Sequence, residues 1–333
     1  MDESLRRKLN DIRNAVGEEL RRIKEENRFP QDLYDAAFHL PLTGGKRVRP
    51  FLAIKSAQMF GSDVRDALPV AIAVELLHNF TLIHDDIMDR DEFRRGVPTT
   101  HVVWGEPIAL AAGDALFSMI FSYVVEEMGR RRFDPPIIVS AVETLSRGAQ
   151  TICEGQTMDV LAEKYISKES EYLKMVYKKT AALFKVSCVL GGIVGGASEK
   201  DRKHLDEFGR NIGVAFQIVD DVLGIVGDPK VTGKPVGNDL RLGKKTLIVI
   251  HALEKGSGRD RREISSIFGN EEAPPERLGE VIDLLIRLGS VDHARETARK
   301  YMDRAIDSLL MLPDNEHRGD IESLARFICS RER

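Results

Sequence analysis

Cysteine is scarce in this 333-residue chain: Cys153, Cys188 and Cys329 are the whole set. An odd number of widely spaced thiols excludes a disulfide framework, and no CxxC spacing or neighbouring His pair offers a zinc site. A reducing compartment, the cytoplasm, is the expectation. An excess of one charge is missing too, since 49 Lys and Arg against 53 Asp and Glu leave a net −4. That balance excludes the basic footprint of a nucleic-acid binder or a polybasic membrane protein. The N-terminal stretch MDESLRRKLNDIRNAVGEELRRIKEEN alternates charged and apolar positions and has no signal-peptide run. In the second half the longest charge-free stretch, residues 186–198, holds 13 residues, too few to cross a bilayer. Neither export nor a membrane span is expected. Period-two alternation long enough for a strand is absent, as is any Pro/Ser/Gly-rich linker. The chain therefore reads as all-α, a single domain over residues 1–333.

What is present is a spacing of three and four, as in Leu205, Phe208, Ile212, Ala215, Val219, Val222 and Val226. Helices are predicted over residues 3–26, 46–60, 66–89, 107–128, 136–161, 169–190, 200–226 and 245–253, followed by amphipathic helices to the end. Pro41 with Gly44 and Gly45, Gly96 with Pro98, and the run from Gly191 to Gly196 read as turns between them.

Two of these helices carry their carboxylates in one place. ALPVAIAVELLHNFTLIH, residues 67–84, holds a single charge, Glu75, and is apolar nearly all round, as a helix inside a bundle would be. It ends in Asp85, Asp86 and Asp89, with Asp85 and Asp89 on one face. At a helix C-terminus the macrodipole disfavours acids, so a positive partner is required, and clustered oxygen donors suit a hard cation such as Mg²⁺. An acidic helix end in solvent is the plain alternative for one such cluster. A second cluster weighs against it: in NIGVAFQIVDDVLGIVG, residues 211–227, the only charges are Asp220 and Asp221. Gln217, Asp220, Asp221 and Gly224 share one face, opposite a packing stripe. Buried carboxylates without partners cost several kcal/mol each, about the scale of a whole fold's margin. Basic partners are at hand in GGKRVR, residues 44–49, in Arg94 and Arg95, in Lys178 and Lys179, and in Lys234, Lys244 and Lys245. A glycine-led turn into a helix and guanidinium forks suit phosphate. Together these features indicate a magnesium-bridged diphosphate site.

GGKRVRP, HNFTLIHDDIMDRDEFRRGVPTTH, KKTAALF, FQIVDDVLG and GKPVGNDLRLGKKTL, in this order over residues 40–251, resemble the motifs of the trans-isoprenyl diphosphate synthases, or polyprenyl synthetases. The resemblance is strongest to archaeal-type short-chain geranylgeranyl diphosphate synthases. It implies the all-helical isoprenoid synthase fold around a deep central cavity, a homodimer, and two acidic motifs facing each other across the cavity mouth. It also implies head-to-tail condensation of isopentenyl diphosphate with dimethylallyl, geranyl or farnesyl diphosphate, with two or three Mg²⁺ ions. By that likeness Asp85, Asp89 and Asp220 are the metal ligands, with Asp86 and Asp221 behind them. Lys46, Arg49, His78 and Arg95 hold isopentenyl diphosphate; Arg94, Lys179, Thr180, Gln217, Lys234 and Lys244 serve the allylic side. Gly224 departs from the pattern, since many relatives carry a third aspartate there. Phe80, with Thr81 and Leu77, stands in the position of the chain-length ruler and implies a C20 product, with C15 or a C15/C20 mixture as the alternative. An ordinary packing ring is the other reading of Phe80. A terpene cyclase is disfavoured by Asp220 and Asp221 and by an aromatic content of 6%. A non-catalytic subunit of a heteromeric synthase is the rival from another class.

Overall fold

The computed structural model describes residues 3–227 and 237–329. The chain gathers into two compact units, each assembled from separated stretches: residues 1–149, 183–206 and 310–323 in the first, 150–182, 207–309 and 324–333 in the second.

The first unit begins with α1 (Glu3–Glu26), whose buried Leu5, Ile12, Val16, Leu20 and Ile23 repeat at helical spacing. Next come α2 (Gln31–Leu42), α3 (Val48–Met59) and α4 (Val64–Asp89). The Asp63 side chain caps α4 by accepting from the Asp66 N–H at 2.8 Å. As its composition predicts, α4 is buried on nearly every side. A two-stranded antiparallel hairpin follows, β1 (Phe93–Arg94) and β2 (Val97–Pro98), with Arg94 opposite Val97. Its turn residues Arg95 and Gly96 both have positive φ, 54° and 78°, the geometry a two-residue hairpin favours. Beyond it lie α5 (Thr100–Trp104), α6 (Glu106–Arg130) and α7 (Pro135–Val160).

Glycines 191 to 196 do not form the expected turn throughout. Gly191 and Gly192 continue α10 (Ala182–Val194) as helix. A Cβ on Gly191 would stand 2.2 Å from the Ala53 carbonyl oxygen, so this glycine lets α10 and α3 meet backbone to backbone, while Gly192 makes room for the Leu205 side chain. The end of the unit is tied by Lys8 and Lys55, which reach Asp320 at 2.8 and 3.1 Å.

Both α4 and α6 are long and apolar enough to cross a membrane by length and composition, a point the charge-free stretch of the second half does not reveal. They differ in burial: the apolar window of α4 is 67% buried and that of α6 only 39%. Leu110 and Val125 of α6, Val102 and Val103 of α5 and Val139 of α7 are exposed.

In the second unit, α8 (Ala162–Tyr165) and α9 (Glu169–Val176) lead into a π-helical turn, Tyr177–Ala181. The predicted continuous helix over 169–190 is thus interrupted at KKT. Single π turns inside helices recur at functional sites. After α11 (Glu199–Val226), whose residues from 207 on belong to this unit, come α12 (Asn238–Arg241), α13 (Leu247–Lys255), α14 (Gly258–Ile267), α15 (Pro275–Arg287) and α16 (Ser290–Leu310); of α17 (Glu316–Cys329) only the residues from 324 on belong to it. Their core packs Tyr172, Ile218, Val222, Leu247, Val281, Leu285 and Ala294.

Candidate active site

In the first unit the turn at Gly44 and Gly45 is stabilised from beneath. Arg47 takes a left-handed φ of 48°, and its side chain turns inward, donating to the Pro41 carbonyl and to the Glu75 carboxylate. Asn79 donates to the same carboxylate at 2.8 Å. Glu75, the single charge within residues 67–84, is therefore an internal anchor for this turn, and Arg47 is turned to it instead of facing a phosphate. Of its neighbours, Lys46 is exposed, and Arg49 is half-buried with its guanidinium 4.8 Å from the Phe184 ring centre.

Arg49 donates toward His78 Nε2 at 3.3 Å. Arg95 reaches back from the hairpin to donate to the Gly44 carbonyl at 2.5 Å, and its guanidinium carbon lies 3.1 Å from where a Cβ on Gly45 would be. Burial, and then the guanidinium groups of Arg49, Arg95, Arg94 and Arg47, hold His78 well below its ordinary pKa. Four guanidinium groups around a neutral imidazole make a field that attracts a multiply charged anion. Arg49, His78 and Arg95, brought together here, lie in two separate motifs of the sequence, with His78 and Arg95 seventeen residues apart in one of them.

The acidic end of α4 divides by exposure: Asp89 is exposed, Asp85 half-buried and Asp86 fully buried. Arg94 Nε donates to Asp86 Oδ1 at 2.5 Å and Arg94 Nη2 to Asp91 at 3.2 Å. Burial pushes the Asp86 carboxyl up to about 6 while Arg94 opposes the shift. Asp86 Oδ2 is buried with no hydrogen-bond partner. Arg94 is thus bound to the acidic motif it follows.

Higher on α4, Phe80 lies 5.0 Å from Phe117 of α6 and 4.7 Å from His84, and Phe117 lies 5.3 Å from Phe121, ring centre to centre. Gly113 makes room for this, since a Cβ there would be 2.3 Å from His84 Nε2. Thr81 is half-buried with its hydroxyl on the His78 carbonyl at 2.8 Å, whereas Leu77 is in the core at 1% exposure.

In the second unit the π turn carries Lys178, Lys179 and Thr180. Gly155 of α7 lies against it so closely that a Cβ would come within 2.2 Å of the Lys179 backbone nitrogen. Lys178 pairs with Glu154, and Lys179 Nζ with Asp159 at 2.5 Å. Thr180 donates to Gln217 Oε1 at 2.7 Å, and Gln217 Nε2 donates to Asp221 Oδ1 at 2.8 Å. Asp221 is buried and its other oxygen accepts from the Tyr172 hydroxyl at 2.5 Å. Burial first, then the charge of Asp239, pushes the Asp221 carboxyl up to about 7. Asp220 is half-buried beside it. The space left by Gly224 is filled: a Cβ there would lie 2.4 Å from Asp239 Oδ2. Lys244 stands 3.9 Å from the same carboxylate. Lys245 is turned away, on Glu163 and the Ile166 carbonyl, each at 3.1 Å. Lys234 lies outside the described residues.

Tyr172, Asp159, Asp239 and Asn79 were not visible as site residues from the sequence. Tyr172 lies eight residues before Thr180, a spacing that leaves it about 80° round an α-helix, so periodicity carries no signal for it. The Lys179 side chain that Asp159 meets is twenty residues away in sequence, so local spacing holds no trace of that pair.

The polyprenyl synthetase family model matches residues 30–285. The geranylgeranyl diphosphate synthase of Saccharolobus solfataricus is 40% identical over 327 residues, 97% of each chain. The crystal structure of geranylgeranyl pyrophosphate synthetase from Pyrococcus horikoshii superposes with a TM-score of 0.91 at 42% identity, covering 99% of this chain and 100% of that one. A polyprenyl synthase from Caulobacter crescentus, solved with calcium and isoprenyl diphosphate, superposes with a TM-score of 0.85 at 30% identity over 98% of each chain. With a family match over most of its length and relatives aligned nearly end to end, this chain belongs to the polyprenyl synthetase family.

Proposed function

We propose that the protein is a short-chain prenyltransferase that condenses isopentenyl diphosphate with dimethylallyl, geranyl and farnesyl diphosphate and stops at geranylgeranyl diphosphate. One catalytic domain over residues 1–333 carries the reaction in this reading. The observation that bears most weight is the meeting of Arg49, His78 and Arg95 at the Gly44–Gly45 turn, in the same unit as Asp85 and Asp89. Anion-binding cations and metal-type carboxylates in one compact unit are what a diphosphate substrate needs.

The carboxylates fit Mg²⁺. They are hard oxygen donors, and Asp86 Oδ2 is a buried acceptor lacking a hydrogen-bond partner. Among the described residues no three of His, Cys, Asp and Glu converge as a complete cage. One or two carboxylates per ion is the share Mg²⁺ takes from protein when phosphate oxygens and water complete its shell. Asp85 and Asp89 would hold ions at one cluster and Asp220 at the other, two or three in all. Bound there, Mg²⁺ supplies Lewis-acid neutralisation of the leaving diphosphate.

The side chains do the rest. Lys46, Arg49, His78 and Arg95 bind isopentenyl diphosphate, and neutral His78 contributes a ring N–H without adding a fifth positive charge. Arg94, Lys179, Lys234 and Lys244 bind the allylic diphosphate. As its carbon–oxygen bond breaks, Thr180 and Gln217 present oxygen dipoles to the allylic carbon. The double bond of isopentenyl diphosphate then attacks, and the proton released passes to the departing diphosphate. Orientation of the two substrates together supplies much of the acceleration. Phe80, with Thr81 and Leu77, ends elongation. The uncovered face of α6 supports a homodimer in which a second copy covers Leu110 and Val125. Three cysteines without a disulfide agree with the cytoplasm.

The test is incubation of purified protein with labelled isopentenyl diphosphate and each allylic primer, followed by chromatography of the dephosphorylated alcohols. The C20 alcohol is expected, and chelation of divalent ions or D85N is expected to abolish it. No elongation by the protein alone would overturn the reading in favour of a non-catalytic subunit.

A further inference from the structure

Asp221 is a buried carboxylate that the metal reading leaves without a task, and its hydrogen bonds have a direction. On one side it meets Tyr172, which is 1% exposed and packed in the core of the second unit. Tyr172 Oη lies 2.5 Å from Asp221 Oδ2, and Gln217 Nε2 lies 2.8 Å from Asp221 Oδ1. In its ionised form Asp221 only accepts, and the phenol and the amide then both donate to it. Against the ionised carboxylate the Gln217 amide is held from flipping, because flipping would set its carbonyl oxygen against Asp221. Its Oε1 is thereby turned to Thr180, whose hydroxyl donates at 2.7 Å. A hydroxyl that donates its proton to the amide leaves its own lone pairs for what lies beyond.

We infer that Tyr172 is a positioning residue for prenyl transfer: through Asp221 it fixes the Gln217 amide, so that the oxygens of Gln217 and Thr180 face the allylic carbon as positive charge develops. The inference rests on the prenyl-transfer reading above. Tyr172 touches no substrate. It acts by denying Asp221 and Gln217 any other arrangement, the kind of preorganisation that makes fixed dipoles effective at a developing charge. The buried phenol suits the task because it fills core volume and presents a single donor in a fixed direction.

The test is a double-mutant cycle on the whole enzyme, Y172F against Q217L, in steady-state condensation of farnesyl and isopentenyl diphosphates. Y172F keeps the ring and removes only the hydroxyl. Its kcat is expected to fall roughly 10- to 100-fold, less than the loss for a group in direct contact with the charge, with both KM values within about twofold, as expected for a loss confined to the transition state. Q217L is expected to lose at least as much, and the double variant no more than Q217L alone, because one chain is cut twice. A purely structural role would lower the melting temperature and give losses that multiply. If Y172F does not fold, D221N cuts the chain at its middle and enters the cycle in its place. Wild-type kcat in Y172F or D221N, or multiplicative losses in the cycle, overturns the inference while prenyl transfer stands. A wild-type protein that elongates nothing overturns the reading beneath it.

Discussion

Replacing Arg47 by Met tests the anchor under the glycine turn. The Arg47 and Glu75 side chains are 3% and 2% exposed, and Arg47 also holds the Pro41 carbonyl. Removing the cation leaves Glu75 with the Asn79 amide, at 2.8 Å, and the more distant charge of Arg95. Breaking a buried ion pair from one side costs about 3–5 kcal/mol, chiefly for the stranded charge. The left-handed backbone at residue 47 adds nothing to the difference, since Arg and Met are strained alike at a φ of 48°. About 4 kcal/mol lowers the folded-to-unfolded ratio some thousandfold. Equilibrium urea unfolding followed by circular dichroism reads it as the midpoint shift multiplied by the m-value. The paired change R47M/E75L removes both charges and is expected to recover most of the loss, because apolar replacement of a buried pair is often neutral or better. Lys46 and Arg49 flank the anchor, so R47M is also expected to raise KM for isopentenyl diphosphate more than for the allylic substrate. A cost below about 1 kcal/mol, no more than that of an exposed ion pair, or a double variant less stable than R47M, would refute the reasoning.

F80A opens the aromatic wall formed with Phe117 and is expected to yield products longer than C20; unchanged chain lengths by chromatography would place the ruler elsewhere. G155A would drive a Cβ to 2.2 Å from the Lys179 backbone nitrogen, where backbone cannot yield cheaply. An overpacking loss of about 1–3 kcal/mol and a fall in condensation rate are expected, and wild-type melting with wild-type kcat would exclude that packing. His78 is held below its ordinary value of 6.5, first by burial and then by the guanidinium groups around it. As pH falls through 6.5 the unfolded chain takes up this proton before the folded one, so stability declines toward acid pH. H78Q removes that component, and the wild-type urea midpoint should therefore drop more steeply than that of H78Q between about pH 7.5 and 5.5, the range in which an unperturbed histidine titrates. Parallel curves would mean that the imidazole is not neutral in the fold.

Periodicity made most long helices legible, and with them the faces of α4 and α11. Asp85 and Asp89 do share a turn's face, and Ile212, Ala215, Val219 and Val222 are buried as their spacing predicts. What periodicity cannot convey is partnership. Arg47 and Arg49 sit two residues apart in one motif, yet one is turned inward to Glu75 and the other meets His78. Their fates depend on a left-handed backbone that nothing but the fold enforces. Gly191 and Gly192 illustrate the opposite error, because the same residues that end helices also let two helices touch. The π turn at Lys179 escaped for a similar reason: its extra residue per turn is stabilised by packing on Gly155, far away in sequence.

The carboxylate of Asp239 over Gly224 makes these two positions depend on each other. An aspartate introduced at 224 alone would crowd an acid already there, since the first added carbon falls 2.4 Å from its oxygen. The two positions are therefore coupled in this chain: an acid at 224 requires the Asp239 carboxylate to swing aside or to be replaced first.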